Sequence, residues 1–119
     1  MLLKQFRNKW GAYPFYKESG PEAPITSKEC VKDFRKSLRD TLAQGYTLHG
    51  FRHNHFTASG FVEKGGKFVY ISIGDFRNHN WVNNILYRTA ESTKDFRGGR
   101  NRFTSVNNLE QALINMFKQ

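Results

Sequence analysis

A single cysteine, Cys30, stands among 119 residues, which excludes an internal disulfide and agrees with a reducing compartment. Cys30 falls inside a predicted helix, where it is expected to pack rather than react. Long hydrophobic runs are missing as well. No apolar stretch approaches the roughly 20 residues that cross a bilayer, and Met1-Leu2-Leu3-Lys4 leads into Gln5, Phe6, Arg7 and Asn8 rather than a signal-type apolar segment. The expectation is a cytoplasmic protein with no membrane partner. Acidic residues are the third scarcity: ten, against nineteen Lys and Arg, for a formal charge of +9 and a pI near 9.9. That imbalance points to a polyanionic or acidic partner. The carboxylates are also too scattered for a two-metal catalytic centre.

Aromatic rings and arginines, by contrast, are abundant and often adjacent. Five times a phenylalanine directly precedes an arginine: Phe6-Arg7, Phe34-Arg35, Phe51-Arg52, Phe76-Arg77 and Phe96-Arg97, with Arg102-Phe103 reversed. Neighbouring side chains diverge on both strands and helices, so each pair can bury a ring and hold a guanidinium outside. Part of the count simply reflects apolar residues going inside and charged ones outside. Arginine's planar fork nevertheless suits phosphate and carboxylate.

The length fits one domain with one core. Residues 1–26 read as an extended aromatic and basic arm, carrying Lys4, Arg7, Lys9, Trp10, Tyr13, Phe15 and Tyr16 and ending in Gly20-Pro21-Glu22-Ala23-Pro24, which breaks regular structure. The arm's rings are expected to pack over the domain, and its charges could follow a phosphate backbone. Residues 27–119 form the domain proper. Thr26 with Glu29 resembles a capping box and Gly45 supplies a stop, so the pattern predicts a helix over 27–44 with Val31, Phe34, Leu38, Thr41 and Leu42 as its buried stripe. Lys28, Lys32, Arg35, Lys36 and Arg39 share another face of that helix. Either Glu29, Asp33 and Asp40 neutralise this face through ion pairs, or it faces an anion.

After Tyr46 the period changes. The segments 46–51, 55–63, 67–73 and 84–90 read as strands, with Lys64-Gly65-Gly66-Lys67 as a tight hairpin and Phe68 to Ile73 in the middle of the sheet. Asn107 with Glu110 then caps a second amphipathic helix bearing Leu109, Ala112, Leu113, Met116 and Phe117. The predicted fold is α+β: one two-layer domain in which an antiparallel sheet of three or four strands packs against an N-terminal-half helix and a C-terminal helix.

Two segments echo each other, Asp75-Phe76-Arg77-Asn78 and Asp95-Phe96-Arg97-Gly98. In each, Asp is expected to accept backbone amides, Phe to plug the core, and Arg to face outward. The densest basic stretch runs from Lys94 to Phe103 and contains Arg97, Gly98, Gly99, Arg100 and Arg102. Its paired glycines leave the backbone free to approach a ligand, although no phosphate-loop signature is present. Arg88 extends this patch if its strand face is exposed. His49, His53, His55 and His79 are the only residues with a claim on acid–base or metal chemistry, with His53 and His55 expected on one side of a strand. No metal motif or nucleophile elbow accompanies them.

The binding residues selected are therefore Arg77, Arg88, Lys94, Arg97, Arg100, Arg102, Lys32, Arg35, Lys36 and Arg39, with no catalytic residue, metal ligand or cofactor assigned. The expected function is a small, non-enzymatic protein contacting nucleic acid or a nucleoprotein complex through arginine-rich loops and a basic helix. The alternatives are a phage- or plasmid-type accessory or inhibitor docking on an acidic protein surface of a host nucleic-acid-processing complex, and a metal-independent nuclease or nucleotide-handling enzyme using His53, His55 or His79 with Arg97 and Arg100.

Overall fold

Alternating apolar residues and short turns build the sheet. A computed structural model describes residues 1–17 and 23–119. Five strands run antiparallel in chain order: β1 Thr47–Asn54, β2 Thr57–Lys64, β3 Lys67–Ile73, β4 Ile85–Ala90 and β5 Arg102–Thr104. The β2–β3 hairpin turns at Gly65 and Gly66, whose φ angles of 60° and 81° suit a two-residue turn. β3 is the central strand, as its near-continuous apolar run predicts. The expected three or four strands become five because β5 has only three residues, too few to display an alternating pattern.

Three helices accompany the sheet. α1 spans Leu3–Trp10 and replaces the expected extended arm. Leu3, Phe6 and Trp10 recur at helical spacing and are all buried. The expected packing of the segment's aromatics holds for Trp10 and Phe15, while Tyr16 stays exposed. α2 runs Ala23–Thr41, starting four and ending three residues earlier than predicted. Thr26 consequently lies inside the helix rather than capping it, and Pro24 falls in the first turn, where a missing N–H is harmless. The Gly20 to Glu22 part of the predicted breaker lies outside the described residues. α3 is Leu109–Phe117, entered through a 3-10 turn at Val106–Asn108. Ser105, not Asn107, caps that entry, its Oγ accepting from Asn108 N at 3.3 Å.

Alternation divides the sheet into two unlike faces. On one, Ala58, Val62, Val69, Ile71, Ile73 and Ile85 join Phe6, Phe34, Leu38, Leu109 and Leu113 in a single buried cluster. Its rings interlock, with Phe34 5.3 Å from Phe6 and 6.2 Å from Phe51 between centroids. Phe51 reaches this side through an irregularity in β1 between His49 and Arg52. Its ring lies over Gly60, where an added Cβ would sit 2.6 Å from ring carbons. The opposite face carries Ser59, Phe61, Phe68, Tyr70, Ser72, Leu86 and Arg88, by the register of the ladders.

Replacing Phe34 with Ala is expected to cost about 3–5 kcal/mol, the range for truncating a buried ring. Gly60→Ala should also destabilise, because the incoming methyl displaces Phe51. Urea unfolding with an unchanged slope and a lowered midpoint is the expected readout for both. A Phe34→Ala loss below about 1 kcal/mol would contradict the packing described.

A divided basic surface

The first basic group lies on α2, and its charge results from where the acids of that helix point. Asp33 accepts from Lys9 Nζ at 2.8 Å and from Trp10 Nε1 at 2.9 Å, tying α2 to α1. Burial works against the charged form, but these donors hold the Asp33 carboxyl below its usual range. Asp40 is held by the Met1 ammonium at 2.6 Å, with Arg39 Nε only at 3.9 Å. Glu29 is exposed and makes no ion pair with any described residue. Lys28, Lys32, Arg35 and Lys36 are all exposed, and no described carboxylate pairs with them. Two of the three acids expected to neutralise the stripe are thus engaged elsewhere.

Beside this stripe runs a groove between α2 and β1, which is an edge strand of the sheet. A cavity of about 450 Å³ is lined by Lys28, Val31, Lys32, Arg35, Phe51 and His53. A smaller one of about 140 Å³ continues past Arg35 and Arg39 to Tyr46 and Leu48. Cations form its rim, and apolar side chains line it.

The second group is the glycine-arginine loop after β4. Here the expected roles separate. Asp95 behaves as predicted, its Oδ1 accepting from Arg97 N at 3.2 Å and Gly98 N at 2.7 Å, and its Oδ2 from Glu91 N at 3.0 Å. These amides keep its carboxyl below the usual range. The glycines have a packing role of their own. Gly99, at φ 79°, presses against Thr89, where a Cβ would meet the carbonyl oxygen at 2.5 Å, and a Cβ on Gly98 would collide with the Asp95 carboxylate. Their small size closes the loop onto its own strand.

Arg88 lies inside, only 3% exposed, and so does not extend the patch. Its guanidinium stands over the Tyr70 ring at 4.5 Å, donates to the Asp95 carbonyl at 2.8 Å and to the Thr89 carbonyl at 3.2 Å, and lies 4.0 Å from Asp95 Oδ1. It is a strut holding the loop across the sheet. Phe96, expected in the core, caps Phe61 and Tyr70 from outside at 5.5 and 6.0 Å and is half exposed. Lys94, Arg97, Arg100 and Arg102 are exposed on the loop and β5, and none has an ion pair with a described residue.

The twin segment at Asp75 follows its predicted roles more closely. Phe76 is buried, and Asp75 Oδ1 accepts from Arg77 N at 2.8 Å. Arg77 faces outward but is bonded to both carboxylate oxygens at 3.1 and 3.0 Å and lies 4.6 Å from the Phe56 ring, so its charge is largely answered. Bonding from Arg77 also lowers the Asp75 carboxyl.

The histidines are dispersed. His55 sits in the β1–β2 turn with φ 54°, beyond the end of β1, so it does not share a strand face with His53. Ser27 Oγ donates to the His55 carbonyl and lies 2.5 Å from His53 Nε2. His49 Nε2 bonds Glu63 at 2.7 Å, and His79 packs on Tyr16 at 4.3 Å. Among the described residues no three His, Cys, Asp or Glu side chains come together as a metal site. Burial pushes the Cys30 thiol up, which disfavours the reactive thiolate. The sequence reading missed the groove, because its two walls lie far apart along the chain.

Replacing Arg88 with Ala should release the loop at a cost of about 2–4 kcal/mol, through lost bonds and packing. Faster trypsin cleavage within 94–102 would accompany the loss, and unchanged cleavage would show that Arg88 is no strut. Acid should act at the aspartates. The folded-state values of Asp33, Asp75 and Asp95 lie below the unfolded ones, so their contribution is present above about pH 4 and lost as pH falls through the folded values. Asp95→Asn should lower stability at neutral pH while flattening that acid loss. No family model, curated protein or solved structure matches this chain.

Proposed function

We propose that the protein is a non-enzymatic nucleic-acid-binding protein whose main electrostatic contact is the outer face of α2, with the glycine-arginine loop as a second contact. The observation that carries this reading is the row Lys28, Lys32, Arg35 and Lys36 beside the edge-strand groove, with which no described carboxylate pairs, while α1 and the N-terminus take up Asp33 and Asp40 and Arg39 keeps only a long contact to Asp40. A regularly spaced polyanion gains from such a row by releasing condensed counterions, without any need for base contacts.

The same arithmetic separates the two contacts. α2 packs in the core through Phe34 and Leu38, and Phe96 of the loop covers the other face of the sheet, so the sheet lies between them. A strand touching both must pass around an edge. Arg88 takes no part in contact in this reading, and Arg77 contributes less than Arg97 or Arg100 because Asp75 already answers its charge.

Anisotropy titration of labelled single-stranded and duplex oligonucleotides at several salt concentrations tests the proposal. Binding should weaken steeply with salt, and each phosphate contact removed by Lys32→Ala, Lys36→Ala or Arg97→Ala should flatten the log–log slope by about 0.7–0.9. Salt-insensitive or absent oligonucleotide binding, together with capture of one acidic protein, would replace this reading with docking on an acidic protein surface.

A further inference from the structure

Resting on that reading, we infer that the protein takes single-stranded nucleic acid, and that an unstacked base lies against Phe103 on the sheet face opposite the main core. Phe103 is 60% exposed, the most exposed of the large apolar side chains among the described residues. Pairing puts it in a row with Leu86 and Ser72 across β5, β4 and β3, on the face that also carries Phe61 and Tyr70. A ring left in water on an otherwise half-buried face offers a π-surface on which any base can stack.

The ring borders a recess of about 290 Å³ lined by Ser72, Asn78, Asn84 and Leu86. Its polar groups suit a base edge. Asn78 Oδ1 accepts from Asn80 N at 3.0 Å, and its side-chain nitrogen bonds to no described residue, so it keeps its donors. The Asn84 side-chain amide bonds to no described residue, its backbone N–H alone being engaged by Trp81, so it can both donate and accept. Phosphate only accepts, whereas a base edge presents donors and acceptors side by side. Paired amides therefore match a base better than a phosphate.

Charge on the recess permits a polyanion to come close. Asp75, the carboxylate in its lining, is bonded to Arg77 through both oxygens at 3.1 and 3.0 Å. Arg100 lies on the loop three residues before Phe103, and Arg97 follows Phe96, the second exposed ring of this face; both are exposed. Arg102 alternates to the opposite side of β5 and belongs to the other face. In a duplex the bases are stacked and paired, so none can lie on Phe103 without being extruded, whereas a single strand presents bases at little cost.

The experiment measures binding of one labelled DNA oligonucleotide, single-stranded and annealed to its complement, at fixed low salt. Phe103→Ala should weaken single-strand binding roughly tenfold and leave duplex binding within about twofold, since stacking on one ring is lost while phosphate contacts remain. Phe103→Trp should restore affinity, with indole emission quenched as the strand binds. Asn84→Ala should weaken the single-strand complex without altering stability. Lys36→Glu should weaken both complexes, which separates the base site from the electrostatic one. Equal losses on both forms, or none, for folded Phe103→Ala would overturn the base site while leaving the proposed function standing. Displacement of the strand by an equal concentration of a nucleoside monophosphate would overturn the strand as ligand, and no binding of either form by the unaltered protein would overturn both readings.

Discussion

The bonding of Asp33 to Lys9 and Trp10 is the contact on which the rest of the structure turns. It joins α1 to α2 and carries Phe6 and Trp10 into the core. It also commits a carboxylate to Lys9 and Trp10 instead of to an ion pair with the lysines and arginines of α2. With few acids in the chain, each one engaged internally leaves cations without a partner. Asp40, Asp75, Asp95 and Glu63 are engaged in the same way, by the N-terminus, Arg77, backbone amides with Arg88, and His49. Positive surface is thus a product of how the fold is held together, as well as of composition.

The sheet transmits this division into two chemically unlike sides. Its main core face accepts Phe34, Leu38, Leu109 and Leu113 from the helices. The other face is only partly covered, by a loop that Arg88 draws down over Phe61 and Tyr70. Burying a guanidinium is costly unless its donors are satisfied, and here two carbonyls and an aromatic ring meet that demand. A lysine could supply the charge but not the planar fork that reaches both carbonyls. Exposed Arg97 and Arg100 therefore stand on a loop that is anchored at its base.

Local patterns made much of the fold legible. The apolar stripe of α2, the Gly65-Gly66 turn, the central position of β3 and the C-terminal amphipathic helix all follow from spacing that a short window contains. Features depending on distant partners were hidden. α1 looked like an arm because its helical period is brief and lies among polar residues, and β5 gave no periodic signal at all. The helix stripe and the loop arginines were visible as charge, yet the direction of Asp33 was not, and that direction decides whether Lys32 and Lys36 are neutralised. Arg88 was misplaced for a related reason: strand alternation puts it on a face, but only the Asp95 loop determines whether that face meets water.

Amide chemical-shift mapping on the folded protein, titrated with a single-stranded oligonucleotide at low salt, tests the account most directly. Perturbations should concentrate along the exposed side of α2 from Lys28 to Arg39 and around Arg97, Arg100 and Phe103, leaving Val62, Val69 and Ile71 in the buried core unmoved. A full titration that shifts neither Lys32 nor Lys36, or that places all its changes on the α1–α3 side around Leu2 and Glu110, would contradict it.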